Sequence, residues 1–146
     1  MANTEKPSLR ITRTYAAPPQ KVFDAWITPE ALKRWFAPSD EFQTPEVEVD
    51  ARVGGRYRIV MRAPDGEMHR VGGIYREFAP PGKLVFTWAW ESTPERESLV
   101  TVEFKASGSG TELVLIHEHF ADVAARDHHE QGWTGCLGRL MQQLVV

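Results

Sequence analysis

The chain is 146 residues long, a length that suits one domain with one sizeable core. Hydrophobic residues make up 42% and charged residues 25%, and 17 basic against 20 acidic side chains leave a net charge of −3, which argues against a disordered chain and against a basic binder of nucleic acid or membrane surface. A single cysteine, Cys136, rules out an internal disulfide, and no apolar run approaches the ~20 residues of a membrane helix.

The opening "MANTEKPSLR" carries no apolar signal region, so a cytoplasmic location is expected, with residues 1–7 loose and polar and one domain over 8–146. "SLRITRTYAA" alternates as a strand does, with Leu9, Ile11, Arg13 and Tyr15 on one face. Pro18 and Pro19 suit a helix start, and Val22, Phe23 and Trp26 form an apolar stripe after them. In "TPEALKRWF" Thr28 is placed to cap a second helix, Pro29 takes its first position, and Leu32, Trp35 and Phe36 share a face.

Strands and turns follow. "EVEVD" and "GRYRIVMR" alternate, and the turn "PDGE" (64–67) joins the latter to "HRVGGIYREF" as a hairpin. "PPGK" turns into "LVFTWAW", where Leu84, Phe86, Trp88 and Trp90 share a face. "SLVTVEFKA" points Val100, Val102 and Phe104 inward, and "SGSG" (107–110) turns into "TELVLIHEH". Trp133, Leu137, Leu140 and Leu144 then mark a helical stripe. One strand, two helices, six strands and a helix, linked by hairpins, predict an α+β fold: an antiparallel sheet whose apolar face the last helix covers.

Four of the five histidines lie in "LVLIHEHFADVAARDHHEQGW" (113–133). His117 and His119 alternate on one strand with Leu113 and Leu115, so both are expected on the inner face, at a spacing that metal ligands also use. His128 and His129 are adjacent and about 100° apart on a helix, which splits them between two directions. A structural or cavity-lining role is therefore preferred to a metal centre, with His129 near the start of the last helix and His119 at a solvated strand end. Cys136, mid-helix, reads as a small buried residue rather than a nucleophile.

Gly132, Gly135 and Gly138 recur every third residue in the last helix, where each costs ~1 kcal/mol relative to alanine. Close approach to the sheet and room for a cavity both explain them. "VGGRY" and "VGGIY" open no helix and read as bulge sites rather than phosphate loops. Five tryptophans, seven phenylalanines and three tyrosines fit either a tightly packed core or a partly hollow, aromatic-lined interior. Arg13, on an apolar face, is either paired with a carboxylate such as Asp24 or a polar anchor at a cavity rim.

Six stretches carry a resemblance: "TRTYAAPPQKVFDAWITPEALKRWF", "VGGRYRIVMRAPDG", "GGIYREFAPPGKLVFTWAW", "SLVTVEF", "GTELVLIHEHF" and "HHEQGWTGCLGRL". In this order they resemble the activator of heat-shock-protein-90 ATPase homologue-like family of the START/Bet v-like (SRPBCC) superfamily. The resemblance implies a helix-grip fold, a seven-stranded antiparallel sheet around a long C-terminal helix with two short helices after the first strand. It also marks Trp35, His117, His129, Gly132 and Trp133 as signature positions.

The expected function is binding of a small hydrophobic or amphipathic ligand between sheet and C-terminal helix, with no cofactor, no metal and no catalytic residue assigned. Candidate lining residues are Trp35, Phe36, Tyr57, Met61 and Tyr75, followed by Phe86, Trp88, His117, Trp133 and Leu137. Two alternatives remain. One is a cyclase- or hydratase-like enzyme with His117 as acid or base, which requires an open route to the imidazole. The other is a co-chaperone-like interaction module with a chaperone partner, which the family's name implies. The sheet's free edges and the family's habit of pairing imply a homodimer.

Overall fold

In the computed structural model, which describes residues 6–145, the chain begins with β1 (Leu9–Tyr15), whose inward residues Leu9, Ile11 and Tyr15 are buried. Residues 1–5 of the expected loose segment lie outside the described residues. The Pro7 carbonyl accepts a hydrogen bond from the Phe120 N–H at 3.2 Å. Prolines open both short helices, α1 (Pro19–Ile27) and α2 (Pro29–Trp35), where their missing N–H has no helical partner to lose. Thr28 does not cap α2 as expected. Its hydroxyl donates to the Asp24 carbonyl at 2.7 Å and so closes α1.

Six strands follow: β2 (Gln43–Val49), β3 (Arg56–Arg62), β4 (Met68–Ala79), β5 (Lys83–Trp90), β6 (Ser98–Ser107) and β7 (Gly110–Glu118). They form a seven-stranded antiparallel sheet in the order β1-β7-β6-β5-β4-β3-β2. Period-two alternation sets the register. Val100 pairs with His117, Val102 with Leu115 and Phe104 with Leu113, and all six side chains are buried on the inner face. β2 starts earlier than "EVEVD" suggested. Pro45 is tolerated within it because β2 is an edge strand with no partner on one side.

The expected bulge at Gly72–Gly73 falls instead between Tyr75 and Glu77, where the β4–β5 register shifts. Gly73 serves close approach. A Cβ there would overlap the Thr87 carbonyl oxygen, which accepts a hydrogen bond from the Tyr57 hydroxyl at 2.6 Å.

α3 (Val123–Val145) lies on the inner face and buries Trp133, Leu137, Leu140 and Leu144. It starts at Val123, six residues before His129, earlier than the sequence pattern implies. The Asp122 carboxylate accepts the Ala125 N–H at 2.7 Å and caps the first turn. In the middle of α3, the Leu137 carbonyl accepts from the Tyr15 hydroxyl of β1 at 3.0 Å.

Candidate functional site

Between the first half of α3, the loop after α2 and the adjacent ends of β3, β4 and β5 lies a cleft of about 730 Å³. Its inner walls are Phe36, Met61, Trp88 and Trp133; Phe42, Met68 and Trp90 extend it outward; and His69, Arg70, Glu91, His128 and His129 supply its polar groups. Glu91 is engaged by Arg58 at 2.7 Å, and that hydrogen bond holds its carboxyl below the usual carboxylate range.

The loop wall is fastened to α3. Gly135 packs against Pro38 so closely that a Cβ would overlap the Pro38 carbonyl oxygen. Arg139, one turn on, donates to the Arg34 carbonyl at 2.8 Å and the Trp35 carbonyl at 3.2 Å, satisfying the exposed C-terminal carbonyls of α2, and pairs with Asp40. The Thr44 hydroxyl donates to the Phe36 carbonyl at 2.7 Å and fixes that ring's backbone.

Each of the two explanations for the α3 glycines therefore holds at a different residue. Gly135 is a close approach, Gly132 faces open space and lines the cleft, and exposed Gly138 does neither. The same substitution should have opposite signs at two of them. Gly135→Ala is expected to destabilise by about 1–3 kcal/mol through overpacking. Gly138→Ala should stabilise by up to about 1 kcal/mol through helix propensity. Urea unfolding of both variants checks the pair, and a neutral Gly135→Ala would contradict the tight loop contact.

The four histidines of 113–133 separate into two internal and two peripheral residues. His117 is wholly buried, and its Nδ1 accepts the Trp133 indole N–H at 3.0 Å. An indole N–H only donates, so Nδ1 carries no proton and the ring is the Nε2–H tautomer. Nε2–H then donates to the Ser98 hydroxyl at 2.7 Å, which donates on to the Trp88 carbonyl at 3.2 Å. Burial pushes His117 well below the usual histidine range, and His129, with its ring 5.3 Å away, pushes the same way.

His129 has the opposite tautomer. Its Nε2 accepts the Trp90 indole N–H at 3.0 Å, so Nδ1–H donates to the Ala125 carbonyl at 2.7 Å. Its pKa is lowered too, chiefly by burial. His119 does not share the inner face with His117 as expected: β7 ends at Glu118, and His119 turns out of the strand at φ +72° into solvent. His128 is exposed at the cleft rim. Among the described residues, no three His, Cys, Asp or Glu side chains converge to hold a metal ion.

Of the ten candidate lining residues, Phe36, Met61, Trp88 and Trp133 line the cleft. Tyr57, Tyr75 and Phe86, with Phe36 and Trp88, line a second, far smaller void deeper in the interior. Trp35, His117 and Leu137 reach neither space. Trp35 is sealed between the short helices with its indole N–H on the Ala25 carbonyl at 2.9 Å, and Leu137 is wholly covered by the sheet. The route from solvent that acid–base chemistry at His117 would need is closed, and its partners are side chains with both ring nitrogens engaged.

Phe42, Met68 and His69 line the cleft without having been singled out from the sequence, and Trp90 and His129 line it although they are not among the ten candidates. Two signals could have found some of them: His129 precedes Trp133 by four residues and so shares its helical face, and the "PDGE" hairpin register sets His69 opposite Met61. Arg13 does not pair with Asp24; it donates to the Thr12 carbonyl, while Asp24 accepts from Gln20. Cys136 borders the cleft but is buried, and burial pushes its thiol up to about 12, leaving it unreactive.

The family described as Activator of Hsp90 ATPase homolog 1-like protein matches residues 16–145. Among solved structures the chain is similar to a Chromobacterium violaceum protein, at 28% identity over 94% of this chain and 96% of that one, with a TM-score of 0.85. It is similar to an AHSA1 protein from Silicibacter pomeroyi at 28% identity, covering 95% of this chain and 98% of that one, TM-score 0.83. An uncharacterized protein from Rhizobium leguminosarum is 32% identical, with 96% and 95% covered and a TM-score of 0.80. No curated protein gives a significant match. With the family match spanning all but the first strand and the shared architecture running nearly end to end, the chain belongs to the Activator of Hsp90 ATPase homolog 1-like family, on an SRPBCC fold.

Proposed function

We propose that the protein binds one small hydrophobic or amphipathic molecule in the cleft, its apolar body against Phe36, Trp88 and Trp133 and its polar end at the rim beside His69 and Arg70. The observation that carries this reading is the cleft itself. Its 730 Å³ lies within the ~300–1,000 Å³ usual for small-molecule sites, and its inner wall is aromatic while its polar groups gather at the mouth. Each Å² of apolar ligand surface removed from water contributes roughly 25 cal/mol, and one or two polar contacts suffice to orient it. Binding is favoured over catalysis because the one histidine assigned a catalytic alternative is sealed and neutral.

Titration with N-phenyl-1-naphthylamine, a neutral apolar dye, tests the reading. One saturable site per chain is the expected result; fluorescence that rises without saturating, or not at all, would oppose it.

A further inference from the structure

The five indole N–H groups divide unevenly. Trp35, Trp90 and Trp133 each donate to a protein acceptor at 2.9–3.0 Å. Trp26 and Trp88 are buried and their N–H groups have no partner among the described residues. Buried donors are nearly always satisfied, so two exceptions require a physical reason. Both exceptions line the same place, the inner void between the short helices and β3–β5. Its volume of about 20 Å³ admits the centre of one water-sized group.

The void offers these donors little of its own. Leu32, Phe36, Val49, Ile59 and Phe86 contribute hydrocarbon, and the two phenol oxygens on its wall, of Tyr57 (whose hydroxyl donates to the Thr87 carbonyl) and Tyr75, accept neither indole N–H. The missing acceptor must come from outside. Phe36 and Trp88, whose ring centroids are 6.1 Å apart, line both the void and the cleft, so the two spaces share this pair as a wall.

We propose that the void is the inner end of the binding site and receives a carbonyl oxygen of an otherwise apolar ligand, with the Trp26 and Trp88 indole N–H groups as its donors. A carbonyl suits the place because it accepts two hydrogen bonds and donates none, which matches two indole donors. The ligand class is thereby narrowed to apolar ketones, esters and similar carbonyl compounds. This rests on the cleft being the binding site.

The test compares 2-propionylnaphthalene with 2-propylnaphthalene, which differ only in a carbonyl for a methylene, on the whole protein. The indole 1H–15N resonances, assigned through single Trp→Phe variants, report which N–H groups gain an acceptor. The ketone should move the Trp26 and Trp88 protons downfield while the hydrocarbon does not, and it should bind roughly threefold to tenfold more tightly, the worth of an ordinary net hydrogen bond. Trp26→Phe, which removes one of the two donors at a residue outside the cleft, should reduce the preference for the ketone.

Equal affinities with identical indole shifts in the wild-type protein would overturn this proposal and leave the cleft reading standing. Failure of both probes to bind would overturn both readings. The wild-type spectra decide the matter even if a variant folds poorly.

Discussion

Trp133→Ala is expected to destabilise the fold by about 3–5 kcal/mol, the usual range for truncating a buried tryptophan, and to lower the melting temperature by roughly 10 °C or more. Trp133 is the residue through which α3 grips the sheet. Its ring stacks on Trp26 at 5.9 Å, meets Trp88 at 5.1 Å and stands edge-on to Phe36 at 5.6 Å. Truncation would open a void among four elements and leave His117 Nδ1 buried without its donor. Trp133→Phe isolates the second effect: it keeps most of the ring and should cost about 1–3 kcal/mol, the penalty for an unpaired buried acceptor. Chemical denaturation of both variants checks the two figures. Unchanged stability in Trp133→Ala would mean that the helix is not held through this residue.

Acidification from pH 7 to pH 5 should lower stability through the same region. In the fold, burial holds His117 and His129 below the ordinary histidine value of 6.5. Below that value the unfolded chain binds more protons than the native one, so the free energy of unfolding falls as pH falls. The loss starts near pH 6.5 and continues until each native pKa is reached, at no more than about 1.4 kcal/mol per pH unit per histidine.

Protonation would also break specific bonds. His117 Nδ1 and His129 Nε2 accept indole N–H groups only while unprotonated. Urea unfolding at several pH values should give a midpoint that drops from pH 6.5 to 5, with a shallower drop in His129→Gln. A midpoint flat across that interval would contradict the neutral buried tautomers.

The sheet was legible in the sequence because alternation is a strong signal wherever one face is buried. Leu84, Phe86 and Trp88, or Val100, Val102 and Phe104, announce both the strand and its inward side. The start of α3 was less legible. Its first turns, "VAARDHHEQ", carry no apolar stripe because they run along the cleft rim, and only the Asp122 cap marks them.

The site was legible in direction and not in depth. Alternation shows that His117 and Trp90 face the same side of the sheet, but not that helix and loop cover the first wholly and leave the second half-exposed at an opening. The tautomers depend on which indole reaches which nitrogen, and that is fixed by packing between distant segments. Gly135 and Gly132 look alike in the chain and differ only in having Pro38 or open space opposite.

The most direct measurement of the central claim is the N-phenyl-1-naphthylamine titration repeated on Gly132→Leu. Gly132 lines the cleft, and a Cβ built on it meets nothing within 4 Å, so a leucine there projects into the proposed ligand volume without disturbing the fold. Relative to glycine it also favours the helix by up to about 1 kcal/mol. The expected result is an unchanged or slightly higher melting temperature together with dye affinity at least tenfold weaker, a loss of about 1.4 kcal/mol in binding. A stable Gly132→Leu protein that takes up the dye as tightly as the wild type would show that the ligand does not occupy the cleft between α3 and the sheet.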